Sequence, residues 1–239
     1  MTDSFTIRVD GRVIEARQGQ TIMEATEQAG IYIPRLCDHP DLRAHGSCRI
    51  CTVLANGRSV AACTQPVERD MEVKNRHPRV EAWRRQLIAM LFVEGNHFCP
   101  CCEKSGNCEL QALGYLHGMT ATQHPHLFPR RAVDGSHPDI LLEHNRCVLC
   151  GRCVRASRDV DGKQVFQFAG RGLNRHITVN TEAQLDHPGL DLKDKAVSVC
   201  PVGAILKKHK HYGVPVGERK FDHDPIASDV ESHDQDKVT

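Results

Sequence analysis

This 239-residue chain has almost no net charge, no long apolar run and no glycine-rich phosphate loop, and each lack closes off a class of function. Its 31 Lys and Arg against 30 Asp and Glu leave a formal charge of +1, so nothing electrostatic points to a nucleic acid or a membrane surface as partner. The longest uninterrupted apolar run, Leu87 to Val93, falls far short of the ~20 residues a membrane-spanning helix needs. The start MTDSFTIRV carries no apolar h-region after its first charges, so we expect a cytoplasmic protein whose thiols are not paired as disulfides. There is no Gly-x-Gly-x-x-Gly and no Walker loop, which excludes a nucleotide site of those kinds. No internal repeat or low-complexity tract breaks the chain up.

What is present is cysteine. Twelve stand between Cys37 and Cys200, in three groups whose spacing suits metal sites. The first group is Cys37-x10-Cys48-x2-Cys51-x11-Cys63, four soft thiolates with a long loop before the close pair, as in plant-type 2Fe-2S sites. Gly46 and Ser47 in that loop allow backbone N–H groups to turn toward sulfur. Structural zinc prefers two close pairs, and this group has one. The last group is RCVLCGRC, giving Cys147-x2-Cys150-x2-Cys153, the three-ligand run of bacterial ferredoxins. Its near fourth cysteine is absent, Ser157 standing four residues on, and the next is Cys200 followed by Pro201 in VCPVGAI. A remote Cys-Pro of this kind completes a single 4Fe-4S site.

Four and four leave four cysteines, all in NHFCPCCEKSGNCELQ at 96–111. Reading back from Cys108 gives Cys99-x2-Cys102-x5-Cys108, and His97 can supply a nitrogen in place of a fourth thiolate, leaving Cys101 surplus. The competing set puts Cys101 in place of His97. Side chains of neighbouring residues point apart in most backbones, so Cys101 and Cys102 are poor joint ligands, which favours His97. His39, His45 and His144 lie near candidate ligands as well, where ordinary surface placement is their plainest reading.

The elements around these groups read as α+β. Asp10-Gly11 and Asn56-Gly57 each predict a type I′ hairpin between β-branched runs, and a short MEV strand follows near residue 73. Thr21 is placed to cap a helix through Ala29 with Gly30 as its stop. From Pro78, Val80, Trp83, Leu87 and Leu91 at spacings of three and four predict a helix ending at Gly95-Asn96. A further helix starts at Glu109, a loop rich in His and Pro spans about 120–138, and strands are expected at 165–169 and 176–179. The tail from Phe221, FDHDPIASDVESHDQDKVT, is polar and acidic and is expected to be disordered or ordered by a partner. Arg152, Arg155, Arg158 and KKHKH at 207–211 are candidate docking positions.

In this order, the three groups resemble the N-terminal part of the large iron-sulfur subunit of respiratory complex I. They are most similar to the small diaphorase subunit of cytoplasmic NAD-reducing nickel-iron hydrogenases, over about residues 3–212. Complex I carries its histidine as His-x3-Cys; here Gly95 holds that position and His97 gives the shorter His-x-Cys. The resemblance implies a β-grasp 2Fe-2S domain at 1–77, a small helical His/Cys3 4Fe-4S domain at 78–118, a bacterial ferredoxin-like 4Fe-4S domain at 119–212 and a polar tail at 213–239. It implies one 2Fe-2S and two 4Fe-4S clusters and no catalytic residue. The partners it implies are a flavin/NAD-binding diaphorase subunit and the large and small nickel-iron hydrogenase subunits. The chain would be an electron-transfer subunit of an oxidoreductase complex, a hydrogen dehydrogenase. An electron-input subunit of a complex I-like or NAD-dependent formate dehydrogenase assembly is the alternative, and a zinc-binding interaction module or a free carrier stand outside that class.

Overall fold

The computed structural model describes residues 4–180, 184–210 and 212–231. Its first unit is a five-stranded sheet in the order β2-β1-β5-β3-β4. Strands β1 (Ser4–Val9) and β2 (Arg12–Arg17) pair antiparallel across Asp10 and Gly11, both at positive φ as a type I′ turn requires. The same turn at Asn56-Gly57 joins β3 (Thr52–Ala55) to β4 (Arg58–Ala61), and β5 (Glu72–Lys74) runs parallel to β1 in the middle. Helix α1 (Ile22–Gln28) begins with a capping box between Thr21 and Glu24, and its buried Ile22, Met23 and Ala25 join Ile7, Val9, Val53 and Val73 in one core.

The long helix α2 (Pro78–Glu94) forms where the apolar spacing predicts it, and turns a different face inward. Its buried line is Val80, Arg84, Ile88, Ala89 and Val93, while Trp83, Leu87 and Leu91 lie half-buried on the flank. The deep position goes to Arg84 because its guanidinium has acceptors waiting. It donates to the carbonyls of Ile50 (3.2 Å), Thr52 (3.1 Å) and Asn75 (3.1 Å), to Asn75 Oδ1 (2.6 Å) and to Glu81 Oε1 (3.0 Å). Those carbonyls belong to the first sheet and its approach, so α2 is bolted to that unit by charge-assisted hydrogen bonds as well as by packing.

Helix α3 (Glu109–Leu116) follows the 96–111 stretch, with Leu110 and Leu113 fully buried. Beyond it, β6 (Val133–Asp134), β7 (Ile140–Glu143) and β10 (Ile205–Lys207) make a three-stranded antiparallel sheet in the order β10-β7-β6. None of these three strands is expected from the sequence pattern, because each is two to four residues long and lies among His, Pro and Lys. Helix α4 (Arg152–Asp159) packs on the β8 (Phe166–Ala169) and β9 (His176–Val179) hairpin, near α5 (Lys195–Ser198). A third core, built from Leu36, Ile50, Ile88, Leu110, Leu113 and Val202, gathers side chains from all the regions just described.

The tail departs from its expectation. Residues 212–231 are ordered against the body, ending in α6 (Ser228–Glu231), whose Val230 is buried with Ala227 beside Tyr32. Phe221 N–H donates to the Gly106 carbonyl (2.9 Å) and Lys220 N–H to Asn107 Oδ1 (2.9 Å). A few apolar contacts, backbone hydrogen bonds and side-chain ties such as Arg219 to the Ser105 carbonyl hold it, and none leaves a hydropathy signature. Its last residues, 232–239, lie outside the described residues. Among the described residues no helix is long and apolar enough to cross a membrane.

Arg84→Ala would strand three buried carbonyls and the Asn75 side chain, and should cost about 3–5 kcal/mol. Trp83→Ala, on the half-buried flank, should cost distinctly less. Urea midpoints of the two variants decide between this face and the one centred on Trp83.

Candidate metal centres

The first group is built by the irregular segment between α1 and β3, which carries Cys37, Cys48 and Cys51, and by the turn after β4, which carries Cys63. Cys37, Cys51 and Cys63 are 0 %, 1 % and 2 % exposed, and Cys48 is half-buried. The sulfurs stand in two pairs. Cys37 N–H donates to Cys48 Sγ (3.4 Å) and Cys48 N–H to Cys37 Sγ (3.5 Å), while Cys51 Sγ and Cys63 Sγ are 3.4 Å apart. Hydrogen bonds from Cys48 hold the Cys37 thiol down at about 5, against the desolvation that raises it. Backbone donors on sulfur are what an anionic iron-sulfur site needs.

The second group sits between the end of α2 and the start of α3. Cys99 and Cys101 belong to a single 3-10 turn, Cys102 closes it with an N–H to the Cys99 carbonyl (3.1 Å), and Cys108 is the N-cap of α3. Burial raises the thiol of Cys99 and pushes that of Cys108 up to about 12. Cys102 adds to the rise in both, so the three lie within electrostatic reach of one another. Cys101 is exposed. His97 is held neutral, burial and then Arg146 and Arg131 lowering it to about 4. Its Nε2 is buried with no hydrogen-bond partner, an orphaned acceptor of the kind a metal would satisfy. Gly203 approaches so closely that a Cβ there would stand 2.7 Å from Cys102 Sγ. Gly106, at φ +78°, lies under the Arg219 guanidinium, where a Cβ would meet Arg219 Nε at 2.2 Å. Arg219 also donates to the Ser105 carbonyl (3.3 Å), so the ordered tail covers the loop between Cys102 and Cys108.

The third group lines one apolar cavity of about 350 Å³, its open mouth included. Cys147, Cys150, Cys153 and Cys200 share the walls with Leu142 and Ile177. Burial pushes the thiols of Cys147 and Cys150 up to about 11 and about 12, and that of Cys153 well above its usual range. Among the described residues no three His, Cys, Asp or Glu side chains converge on one ion-sized point. The donors present, neutral imidazole and clustered thiols around apolar space, fit iron-sulfur groups.

Several residues behave otherwise than the sequence suggests. Arg152 and Arg155 are 2 % and 5 % exposed and are internal ties, so they are not docking positions. Arg152 grips Glu109 through both carboxylate oxygens (2.7 and 2.6 Å) and donates to the Asp38 carbonyl (2.7 Å). Arg155 donates to the carbonyls of Gly151, Arg43 and Cys37. Arg158 is exposed and paired with Asp159. From KKHKH, Lys208 turns inward to the carbonyls of Gly135 and His137 (2.6 Å each), and His211 lies outside the described residues. His45 is exposed, His39 is half-buried, and His144 sits edge-on to His176 at 5.9 Å with its Nδ1 buried and unpartnered. Sequence reasoning missed Arg84, Glu109 and Asp38; the only signal was that Glu109 and Asp38 each directly follow a cysteine.

Comparison with known proteins matches this layout region by region. Residues 2–78 match the 2Fe-2S iron-sulfur cluster binding domain family, and 84–123 the iron-sulfur binding region of NADH-ubiquinone oxidoreductase G. Residues 137–206 match the ferredoxin-like domain of NADH-quinone oxidoreductase subunit 3. The chain is 40 % identical over 220 residues to the gamma subunit of the NAD-reducing hydrogenase HoxS of Cupriavidus necator, covering 92 % of this chain and 94 % of that protein. It belongs to the family of these hydrogenase gamma subunits. A solved NAD+-reducing [NiFe]-hydrogenase in the H2-reduced state contains a chain that superimposes with a TM-score of 0.90 at 46 % identity, over 92 % of this chain and 94 % of that one. The 78 kDa subunit of mitochondrial NADH-ubiquinone oxidoreductase from Candida albicans is 32 % identical over 84 % of this chain, which spans only 28 % of that protein. The family likeness therefore carries 2Fe-2S and 4Fe-4S binding regions in a chain of mixed helix and strand.

Brief anaerobic alkylation of the folded chain should label Cys101 well ahead of the other eleven cysteines, because it alone is exposed. Peptide mass spectrometry showing Cys108 or Cys150 labelled as fast would contradict this order of exposure.

Proposed function

We propose that this chain is an iron-sulfur relay subunit that carries electrons between a nickel-iron hydrogenase pair and a flavin/NAD-binding diaphorase subunit. The observation that carries the reading is likeness to a hydrogenase gamma subunit along 94 % of that protein's length. Identity to the hydrogenase gamma subunit, 40 %, exceeds the 32 % to the complex I subunit, which favours the hydrogenase over a complex I-like assembly. In this reading Cys37, Cys48, Cys51 and Cys63 hold a 2Fe-2S group in a β-grasp domain at 1–77. His97, Cys99, Cys102 and Cys108 hold a 4Fe-4S group at 78–118, and Cys147, Cys150, Cys153 and Cys200 hold another at 119–212. When bound, these groups supply one-electron oxidation and reduction.

The chain's own residues do the rest. Burial removes the thiols from water, backbone N–H groups aim at the Cys37 and Cys48 sulfurs, and the neutral His97 ring presents a free nitrogen. The neutral imidazole makes its site less negative than four thiolates would, which raises its reduction potential. In this reading hydride transfer and hydrogen splitting fall to the partners.

Anaerobically prepared chain should contain about ten irons and ten sulfides. About three zinc ions without sulfide would end the relay reading. Hydrogen-dependent NAD reduction should require this chain together with the flavin subunit and the nickel-iron pair, and undiminished turnover in its absence would refute the role.

The ligand sets are separable by substitution. Cys101→Ser should leave every paramagnetic signal intact, whereas His97→Ala should erase or distort one. The reverse pattern would move the fourth ligand from His97 to Cys101.

A further inference from the structure

The first and third groups are far apart in sequence, yet α4 reaches across to the loop that carries Cys37. The contact is made by Arg155, two residues beyond Cys153, whose Nη2 donates to the Cys37 carbonyl and whose Nη1 donates to the Arg43 carbonyl. Its Nε turns back to the Gly151 carbonyl (3.3 Å). All three acceptors are backbone oxygens, so among the described residues the charge of this 5 % exposed guanidinium is hydrogen-bonded without being neutralised by a carboxylate at contact.

The neighbouring ions are differently disposed. Arg152 is paired with Glu109 through two hydrogen bonds, and Arg35 is paired with Glu27 in the same way (2.9 and 2.6 Å). The remaining acid on this side is Asp38, the residue directly after Cys37. Arg84 reaches the other side of the group, donating to the carbonyls of Ile50 and Thr52 that flank Cys51, and Glu27, Glu109 and Glu81 offset Arg35, Arg152 and Arg84 in turn. On the Cys37 side this leaves Arg155 and Asp38 as the opposing charges. Reduction adds one negative charge to that site, and a cation held nearby in a place water does not reach favours the reduced form.

We infer that Arg155 is a positioning residue that sets the reduction potential of the Cys37–Cys63 group upward, acting through space and through the Cys37 carbonyl from the helix that carries Cys153. Arg152, offset by Glu109, serves the spacing of the three groups and contributes little to that potential. The inference rests on the 2Fe-2S reading of the first group.

Redox titration of the full chain, loaded anaerobically and followed by the paramagnetic signal of the two-iron group, tests it. Arg155→Gln should move the potential negative by at least a tenfold change in the oxidised-to-reduced ratio, 59 mV for a one-electron couple. Arg155→Lys, which keeps the charge and loses the fork, should stay close to the unsubstituted value. Equal shifts in both variants, or no shift in Arg155→Gln, would overturn the inference, because a role in packing alone does not distinguish charge from shape. Should Arg155→Gln fail to fold, Asp38→Asn decides: it removes the opposing charge at nearly constant shape and should move the potential positive, and an unmoved potential there overturns the inference. Absence of any two-iron signal in the unsubstituted chain would sink the 2Fe-2S reading itself, and this inference with it.

Discussion

The guanidinium of Arg152 ties together segments 114 and 43 residues away, at Asp38 and Glu109. Asp38 follows Cys37, Glu109 follows Cys108, and Arg152 itself stands between Cys150 and Cys153, so one buried side chain touches the neighbourhood of all three cysteine groups. A single carboxylate cannot neutralise it and also satisfy its five donors; the Asp38 carbonyl takes one more, and Nε is left without a partner. A buried ion pair of this kind contributes little net stability, because desolvation offsets most of the attraction. What it supplies is registry. The loops that carry the ligands have almost no regular structure, and their mutual placement follows from where this guanidinium finds acceptors.

Apolar burial does a different job. The core around the first sheet and the core around α4 each close on themselves, and the third core, with Leu36, Ile50, Leu110 and Val202, fills the seam between them. The N–H of Glu109 also bonds to the Pro201 carbonyl (2.9 Å), fastening the residue after Cys108 to the residue after Cys200. Packing brings the regions together over a broad area, and a few charge-assisted bonds then choose one arrangement among the many that apolar contact alone would accept.

Much of this was legible in the chain itself. Asp10-Gly11 and Asn56-Gly57 announced their hairpins because only a few residue pairs tolerate two successive positive φ values, and Thr21 announced α1 because its oxygen satisfies a backbone donor. The cysteine intervals pointed to cluster-sized sites since ligand spacing is a local property. What stayed hidden was non-local. Arg152 and Arg155 read as docking charges and Arg84 passed without a reading, because their acceptors lie elsewhere in the chain and many of them are backbone carbonyls, which carry no sequence signal. Strands β6, β7 and β10 escaped for the same reason: each exists through its partners, with too few residues to show an alternation. The tail read as disordered since its anchors are few and scattered, Ile226, Ala227 and Val230 among apolar neighbours and Arg219 to Phe221 on the 105–107 loop, too sparse for composition to register.

That tail has a bearing on how the molecule is made. A ribosome delivers the chain from its N-terminus at roughly 5–20 residues per second. Cys108 is therefore out long before Arg219 and Phe221 exist to lie over the Ser105–Asn107 turn, and Cys37 precedes Arg155 by 118 residues. Every cysteine group has all its candidate ligands synthesised before its surroundings are, the third by the time Cys200 emerges. In the proposed reading, metal therefore has an interval during synthesis in which to enter without displacing protein, and the 219–221 segment covers the second group only afterwards.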